Sequence, residues 1–543
     1  MKRGAGAEGP NLLDLSEEQL TALSARLERG ALEAGDYATL KAVIDTLRYL
    51  RRAQYDKDVS LQRALRMIFG ASTEKTRNVL PEESAATGGE RGKLRLAKKK
   101  KRKGHGRHGV NAYWGADHIP VPHGELKAGQ TCPACGRGKI HDTGRPAVLV
   151  RLHAQPPIAG KVFEAETLRC GLCQQTFTAK PPVEAGAEKY DPNVAPMLAS
   201  LRYGYGMPMN RLAQMQVYAG VPLPAGTQWG LIQEHAQELA PVLVELKNQA
   251  ARSDLVHNDD TTARILSLEK EIRAEERAAA PDDERLRTGV FTSGIVAQTA
   301  DRTIALFSTG RKHAGENLQS LLDLRPAELG PPIQMCDALS RNEPEKANTI
   351  LGNCNAHGRR GFVDCVKFFP EECRHVLSTL QQVYQHDDQA KAEHLTPEQR
   401  LLFHQQHSGP LMEDLRLWLE RNLEDKQIEP NSALGQAMTY MLKHWQPLTL
   451  FLRQPGAPLD NNICERALKL AIRHRNNSLF YKTQNGARVG DLFMSIVHTC
   501  CLNRVDPFHY LCALRRHLKS MRQNPAAWMP WNYRTTLASL PGG

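Results

Sequence analysis

Leu255-Val256-His257-Asn258-Asp259-Asp260-Thr261 reads as the end of a β-strand with two acids at its tip. Side chains alternate between the two faces of a strand, so Asp259 shares a face with His257 and Thr261, and Asp260 points the other way. Ile333-Gln334-Met335-Cys336-Asp337 is a second run of this kind, again closing on a carboxylate. Between the two, residues 290–296 and 303–307 have strand-like composition and predict a hairpin, and 317–324 predicts a short helix. Residues 350–355 predict a fifth strand. Three strands, a helix and a strand, with an acid on the first and the fourth, predict a ribonuclease-H-like α/β core.

A third acid lies far downstream in Leu459-Asp460-Asn461-Asn462-Ile463-Cys464-Glu465-Arg466. Asp460 or Asn461 can cap a helix start by accepting its free backbone N–H groups. Glu465 then falls in or near the first turn, ahead of the apolar positions Ala467, Leu468, Ala471 and Ile472. Alone, such a Glu is a solvated first-turn acid. The 128 positions that separate it from Asp337 contain a long helical insertion over 358–450, with apolar faces from Leu401, Leu402, Phe403, Leu415, Trp418, Leu419 and 438–445. The core is thus expected in two parts, 251–357 and 451–500. A charged stretch at 269–287 reads as a solvated excursion. The tail, 501–543, reads as one amphipathic helix and a Trp/Pro-rich cap.

Upstream, residues 1–80 read as helical, with Ser16 before Glu17 and Glu18 as a start signal and Gly35 dividing two helices. The second is long enough for a short coiled coil, although a helical hairpin fits equally. Residues 81–127 are a basic linker centred on Lys98, Lys99, Lys100, Lys101, Arg102 and Lys103. Residues 128–182 carry Cys132-x-x-Cys135 and Cys170-x-x-Cys173 around a β-rich stretch, a pattern suited to four thiolates on a structural Zn²⁺. A redox pair is the alternative. In 183–250, helices at 209–219 and 227–239 around Gly220-Val221-Pro222-Leu223-Pro224 have the outline of a DNA-binding helix-turn-helix. Any helical pair with a Gly/Pro turn has that outline too.

The chain has 543 residues and a formal net charge of +12. Ten Lys/Arg and no acid lie between Arg91 and Arg107, and without them the charge falls to +2. A polyanion would be engaged there first; a localisation signal or a solvated run is the bland reading. No apolar run reaches the roughly 18–20 residues of a membrane span, and no signal-type apolar core follows the start. Twelve cysteines in this length do not make a disulfide framework. The expectation is a soluble, non-secreted protein with reduced thiols and no membrane partner.

These blocks together resemble the large TnpC-type DDE transposases of the bacterial insertion-sequence family sixty-six. The residues that carry the resemblance are His257-Asn258-Asp259-Asp260-Thr261, Gln334-Met335-Cys336-Asp337, the run from Asn353 to Arg360, that from Leu459 to Leu468, Leu479-Phe480 and Asp506-Pro507-Phe508. The helical start, four-Cys module and Pro-Trp-Asn ending match in kind and order. The resemblance implies that Asp259, Asp337 and Glu465 are the catalytic acids. The family's residue after the first acid is usually Glu and here is Asp260, which leaves the first acid open between Asp259 and Asp260; alternation favours Asp259. Ala338 stands where Gly is usual, and Arg475-Asn476-Asn477 where Arg-Lys-Asn is usual.

Three clustered carboxylates repel one another, and divalent cations relieve that repulsion. Hard oxygen donors suit Mg²⁺ or Mn²⁺, and two such ions about 3.5–4 Å apart serve phosphodiester cleavage. Asp259 is expected to bridge them, with Asp337 and Glu465 each favouring one. The implied function is cutting at insertion-sequence ends, then joining the 3′-hydroxyl to target DNA. Arg359, Arg360, Arg473 and Arg475 are candidate phosphate contacts, and Cys354, His357, Asn461 and Asn462 candidate supporting residues. Cys354-x-x-His357 supplies two ligands, too few for a zinc site alone, and a buried structural His357 is the alternative. Implied partners are double-stranded transposon-end and target DNA, a second copy or more of the chain, and small accessory proteins. A silenced DNA-binding relative or regulator and a hydrolytic nuclease of the same fold are the competing readings.

Overall fold

The strand quoted first lies at the centre of a five-stranded sheet. Counting from the N-terminus, β1 (Thr167–Arg169) and β2 (Thr176–Thr178) form a separate antiparallel pair. The main sheet comprises β3 (Leu255–Thr262), β4 (Phe291–Gln298), β5 (Thr303–Gly310), β6 (Ile333–Cys336) and β7 (Ile350–Asn353), in the spatial order β5-β4-β3-β6-β7. The first three are antiparallel, and β6 and β7 run parallel to β3. The computed structural model describes residues 17–33, 35–44, 127–135, 137–139, 157–169, 176–180, 182–278, 287–425 and 428–540. Residues 83–159 form one unit and the rest of the chain another. Among the described residues, no helix is long and apolar enough to cross a membrane.

Helix α1 (Asn355–Cys365) follows β7 directly, α2 (Asn462–Ser478) carries Glu465, and α3 (Gln484–Leu502) follows it. Helix α2 crosses β3 and β4 closely. A Cβ on Gly294, which pairs with Asp259, would come within 3.0 Å of the Leu468 side chain, and the Cys464 thiol donates to the Gly294 carbonyl at 3.3 Å. A Cβ there would require the Leu468 side chain, one turn on from Glu465, to give way by a few tenths of an ångström.

Strand β5 is an edge strand, whose outward N–H groups need partners if buried. Helix α3 supplies them from one face. Asp491 Oδ2 accepts from Thr309 N at 2.8 Å, Ser495 Oγ from Phe307 N at 2.9 Å, Thr499 Oγ1 from Ala305 N at 3.0 Å, and Asn503 Oδ1 from Thr303 N at 3.3 Å. Four helical residues rise about 6 Å and two strand residues about 6.7 Å. The two ladders therefore keep step over four rungs.

The helical insertion between α1 and α2 encloses its own core. Phe362, Leu377, Leu380, Met412, Leu415, Leu419, Leu434, Met438 and Met441 are buried in it. Thr396 starts one of its helices by accepting from Gln399 N, while Gln399 reaches back to Thr396 N at 3.0 Å.

The structure departs from the sequence reading in three places. Part of the charged stretch at 269–287 belongs to a helix, Leu266–Ala278, because Leu268 and Ile272 one turn apart are buried. The tail folds into several short helices, Pro507–Arg516, Leu518–Gln523 and Tyr533–Ser539. They close over Trp528, which is fully buried and accepts the Tyr510 hydroxyl proton at its carbonyl, at 2.6 Å. The helix after the Gly/Pro turn runs Ala225–Ala250, well past 239, because Val242, Leu246 and Ala250 continue its buried stripe. The first N-terminal helix, Glu17–Glu28, is joined to Asp36 by a two-pronged Arg26 pair at 2.8 and 2.9 Å. The rest of the expected coiled coil, 45–80, lies outside the described residues.

Candidate active site

Asp259 lies in the second half of β3, beside Asp260, whose backbone N–H donates to Asp259 Oδ1 at 2.8 Å. Burial, then the charge of Asp337, and further those of Asp260 and Glu465, push its carboxyl up to about 7. Burial is the larger cause, and two acids distant in sequence, Asp337 and Glu465, add to it.

Asp337 is the first residue past β6. Burial raises its carboxyl, against opposing pulls that include His357, Arg341 and the hydrogen bond from Asn342. Asn342 Nδ2 donates to Asp337 Oδ1. Asn342 is itself fully buried, and its carbonyl accepts from Asn258 Nδ2 at 2.7 Å and Gln334 Nε2 at 2.8 Å. A side chain of β3, one of β6 and the loop after β6 thus fix the Asp337 carboxylate together. Tyr440, from the helical insertion, also faces it: burial, then the Asp337 charge, push the phenol up to about 12.

Glu465 occupies the first turn of α2, as its spacing predicts. The start of that helix is held by Asn461, which is fully buried. Asn461 caps nothing with its side chain. Instead its Nδ2 donates to the Asn258 carbonyl at 3.0 Å, and its Oδ1 lies 3.1 Å from His257 Nδ1. Burial lowers His257 to about 4, which keeps the ring neutral. Asp460 receives the backbone N–H of Asn462 at 3.1 Å and its Nδ2 at 2.7 Å. Glu465 Oε1 is buried with no hydrogen-bond partner, and so is His357 Nδ1. The two are 3.7 Å apart, an ion-pair distance too long for a hydrogen bond.

Asp260 points away from this group. Its carboxylate is 2 % exposed and binds His313 Nδ1 at 2.8 Å and Arg341 at 3.4 Å. Cys354 precedes α1 as its cap residue and is buried, with its Sγ accepting from Asn461 N at 3.2 Å. Arg359 and Arg360 lie on α1, the first half-buried and the second exposed. Arg475 is already engaged, donating to Thr261 Oγ1 at 3.1 Å and Thr262 Oγ1 at 2.8 Å, so it ties the end of α2 to the end of β3. Arg473 donates to the Gly204 carbonyl at 3.3 Å.

Oxygen donors that repel one another, one of them orphaned in a buried position, are a donor set that fits hard divalent cations. Sequence reasoning missed Asn342, His313, Arg341 and Tyr440. Nothing local marks them, because each acts across the fold.

In the other unit, Cys132 N donates to the Gly138 carbonyl at 2.7 Å, and residues Thr131 and Lys139 bridge. Backbone N–H groups of Gly138 and Arg137, with Cys132, lower the Cys135 thiol. A turn that directs N–H groups at a sulfur favours the thiolate a zinc ion requires. Cys170, Cys173 and the basic run from Lys98 to Lys103 lie outside the described residues.

A family model described as "Transposase IS66 family" matches residues 189–489, more than half of the chain. Three uncharacterized proteins of Sinorhizobium fredii are similar. The protein y4hP is 25% identical over 433 residues, covering 75% of this chain and 74% of its own. Similarity to y4jD, 26% identical, covers 61% of this chain and 64% of that protein. For y4qI, also 26% identical, the shares are 62% and 61%.

Proposed function

The chain belongs to the IS66 transposase family, and from that premise we propose that it cuts DNA at the ends of its insertion sequence and joins the freed 3′-hydroxyl to target DNA. Asp259, Asp337 and Glu465 are the acids of this reaction. The observation that carries the reading is the placement of the acids in the second half of β3, just past the neighbouring β6 and in the first turn of α2, which is hydrogen-bonded back to β3 through Asn461. Bound cations would relieve the repulsion among carboxylates so placed.

Asp259, Asp337 and Glu465 would hold Mg²⁺ or Mn²⁺. Such ions, when bound, activate the attacking oxygen and stabilise the leaving one. Everything else is positioning by the chain. Asn342 orients Asp337, Asn461 anchors the first turn that presents Glu465, and Asp260 holds His313 and Arg341 on the other face of β3. Asp259 is the first acid in this reading, since Asp260 is consumed by that pairing. Arg359 and Arg360 on α1, with Arg473 and Arg475 on α2, are the candidate phosphate contacts, and the Lys98–Lys103 run adds affinity without sequence preference. Cys132 and Cys135 would supply two of the thiolates of a structural zinc. The working form is a homodimer or larger, as two DNA ends must be handled together.

The test is to incubate full-length protein with Mg²⁺ and DNA carrying the element's ends, beside Asp337→Asn. Strand-joined products from wild type alone are expected. Binding with no cleavage by wild type would identify a silenced DNA-binding relative, and nicks without joining a hydrolytic nuclease.

A further inference from the structure

One group of side chains is left unexplained by the reaction of the three acids. Cys354 Sγ, a ring nitrogen of His357 and a carboxylate oxygen of Glu465 all lie within 4.8 Å of one another. We propose that Cys354, His357 and Glu465 form a binding site for one zinc-class divalent cation, and that its occupancy withdraws Glu465 from the magnesium-binding acids. The second half of this rests on the reading of Glu465 as a magnesium ligand.

Two independent features point to a ligand. The first is the pair of orphaned atoms. Glu465 Oε1 and His357 Nδ1 are both buried, neither has a hydrogen-bond partner, and they face each other across 3.7 Å. Buried polar atoms left in this state cost free energy that a shared cation would recover. In a tetrahedral site with bonds of about 2.0–2.3 Å, ligand atoms stand about 3.3–3.8 Å apart. The nitrogen–oxygen pair already meets that spacing, and the sulfur needs to approach by about an ångström. The second feature is the setting of the sulfur. Cys354 caps the N-terminus of the 11-residue helix α1, and its Sγ receives the Asn461 N–H at 3.2 Å. Both pull toward the thiolate. Burial, with the charges of Asp460 and Glu465, nonetheless holds the thiol up at about 12 against these two influences, so the thiolate forms as the arriving ion displaces its proton.

The donor set then selects the metal. A thiolate and an imidazole suit zinc, and Mg²⁺ prefers oxygen throughout. Three protein ligands leave one position open, for water or a phosphate oxygen. Binding here draws Glu465 Oε1 toward His357 and Cys354, so the two ions compete for the position of one carboxylate. The signal is absent from Cys354-x-x-His357 alone, which offers two ligands; the third, Glu465, comes from a helix that starts more than a hundred positions downstream.

The experiment uses full-length, zinc-replete protein titrated with Co²⁺ while the sulfur-to-cobalt charge-transfer band is recorded. Wild type is expected to show one added equivalent. Cys354→Ser should abolish the band, and His357→Gln and Glu465→Gln should weaken binding at least tenfold, while Cys132→Ser retains it. Circular dichroism checks the fold of each variant, and His357, being partly exposed, serves if Cys354→Ser does not fold. An unchanged band in Cys354→Ser and His357→Gln, or no band in wild type, overturns the site. In a second arm, Zn²⁺ is added to the Mg²⁺-dependent cleavage assay. Inhibition of wild type at concentrations at least tenfold below those needed for Cys354→Ser supports that competition, and equal inhibition overturns it. If wild type cleaves nothing, the transposase reading fails, and the cobalt titration still decides the site.

Discussion

Asn461 Nδ2 donates to the carbonyl of Asn258 at 3.0 Å, across 203 positions of sequence. The bond joins the strand that carries Asp259 to the residue that opens the helix of Glu465. Its partners are buried, so neither can turn to water when the bond is broken. Asn461→Ala removes the side-chain donor from the Asn258 carbonyl and the partner from His257 Nδ1. The expected cost is about 2–4 kcal/mol in denaturant unfolding, with DNA cleavage lowered at least tenfold by loss of alignment. Wild-type stability and cleavage in this variant would show that the join is not what sets the site.

Asp259 and Asp260 are adjacent yet have opposite surroundings, so their isosteric amides should behave oppositely. Asp259→Asn is expected to abolish Mg²⁺-dependent cleavage and leave the metal-free protein at least as stable as wild type. Asp260→Asn loses its charge beside His313 and Arg341, and should cost about 1–3 kcal/mol with cleavage reduced and not abolished. Cleavage retained by Asp259→Asn and lost by Asp260→Asn would move the first acid by one residue.

The metal-free protein should weaken as pH rises from about 4 to 7. Asp259 is raised in the folded state to about 7, above its ordinary unfolded value, so across this window the folded chain holds a proton that the unfolded chain has released. Stability is then lost with rising pH, on the order of 2 kcal/mol. Added Mg²⁺ should raise the melting temperature more at pH 8 than at pH 5. Differential scanning calorimetry on wild type and Asp259→Asn checks this: the variant should lack both the slope attributable to Asp259 and most of the Mg²⁺ effect.

The ladder from α3 to β5 gives a test away from the acids. Ser495→Ala leaves the buried Phe307 N–H without its 2.9 Å acceptor, and should cost about 1–3 kcal/mol. At the next rung, burial raises Asp491 to about 6, although Thr309 donates to it from both N and Oγ1. A folded value above the unfolded one means that this rung loses stability as pH rises from about 4 to 6. Asp491→Asn keeps an acceptor for Thr309 N and should flatten that part of the stability profile, read by urea unfolding at pH 4 and pH 7.

The strands of the sheet and their succession along the chain were legible in local pattern. Strand alternation separated Asp259 from Asp260, and a helix start put Glu465 in a first turn, because both depend on near neighbours along the chain. The same local rules misjudged Asn461, whose side chain left the cap for a strand, and the stretch after Glu269, where two buried residues made a helix of a charged run. Only the tertiary structure decided which groups meet. Asn342 on Asp337, His357 against Glu465 and the four rungs of α3 on β5 each join segments through buried contacts. A buried polar atom takes whatever partner the packing brings within reach, and no periodicity in the chain records which one that is.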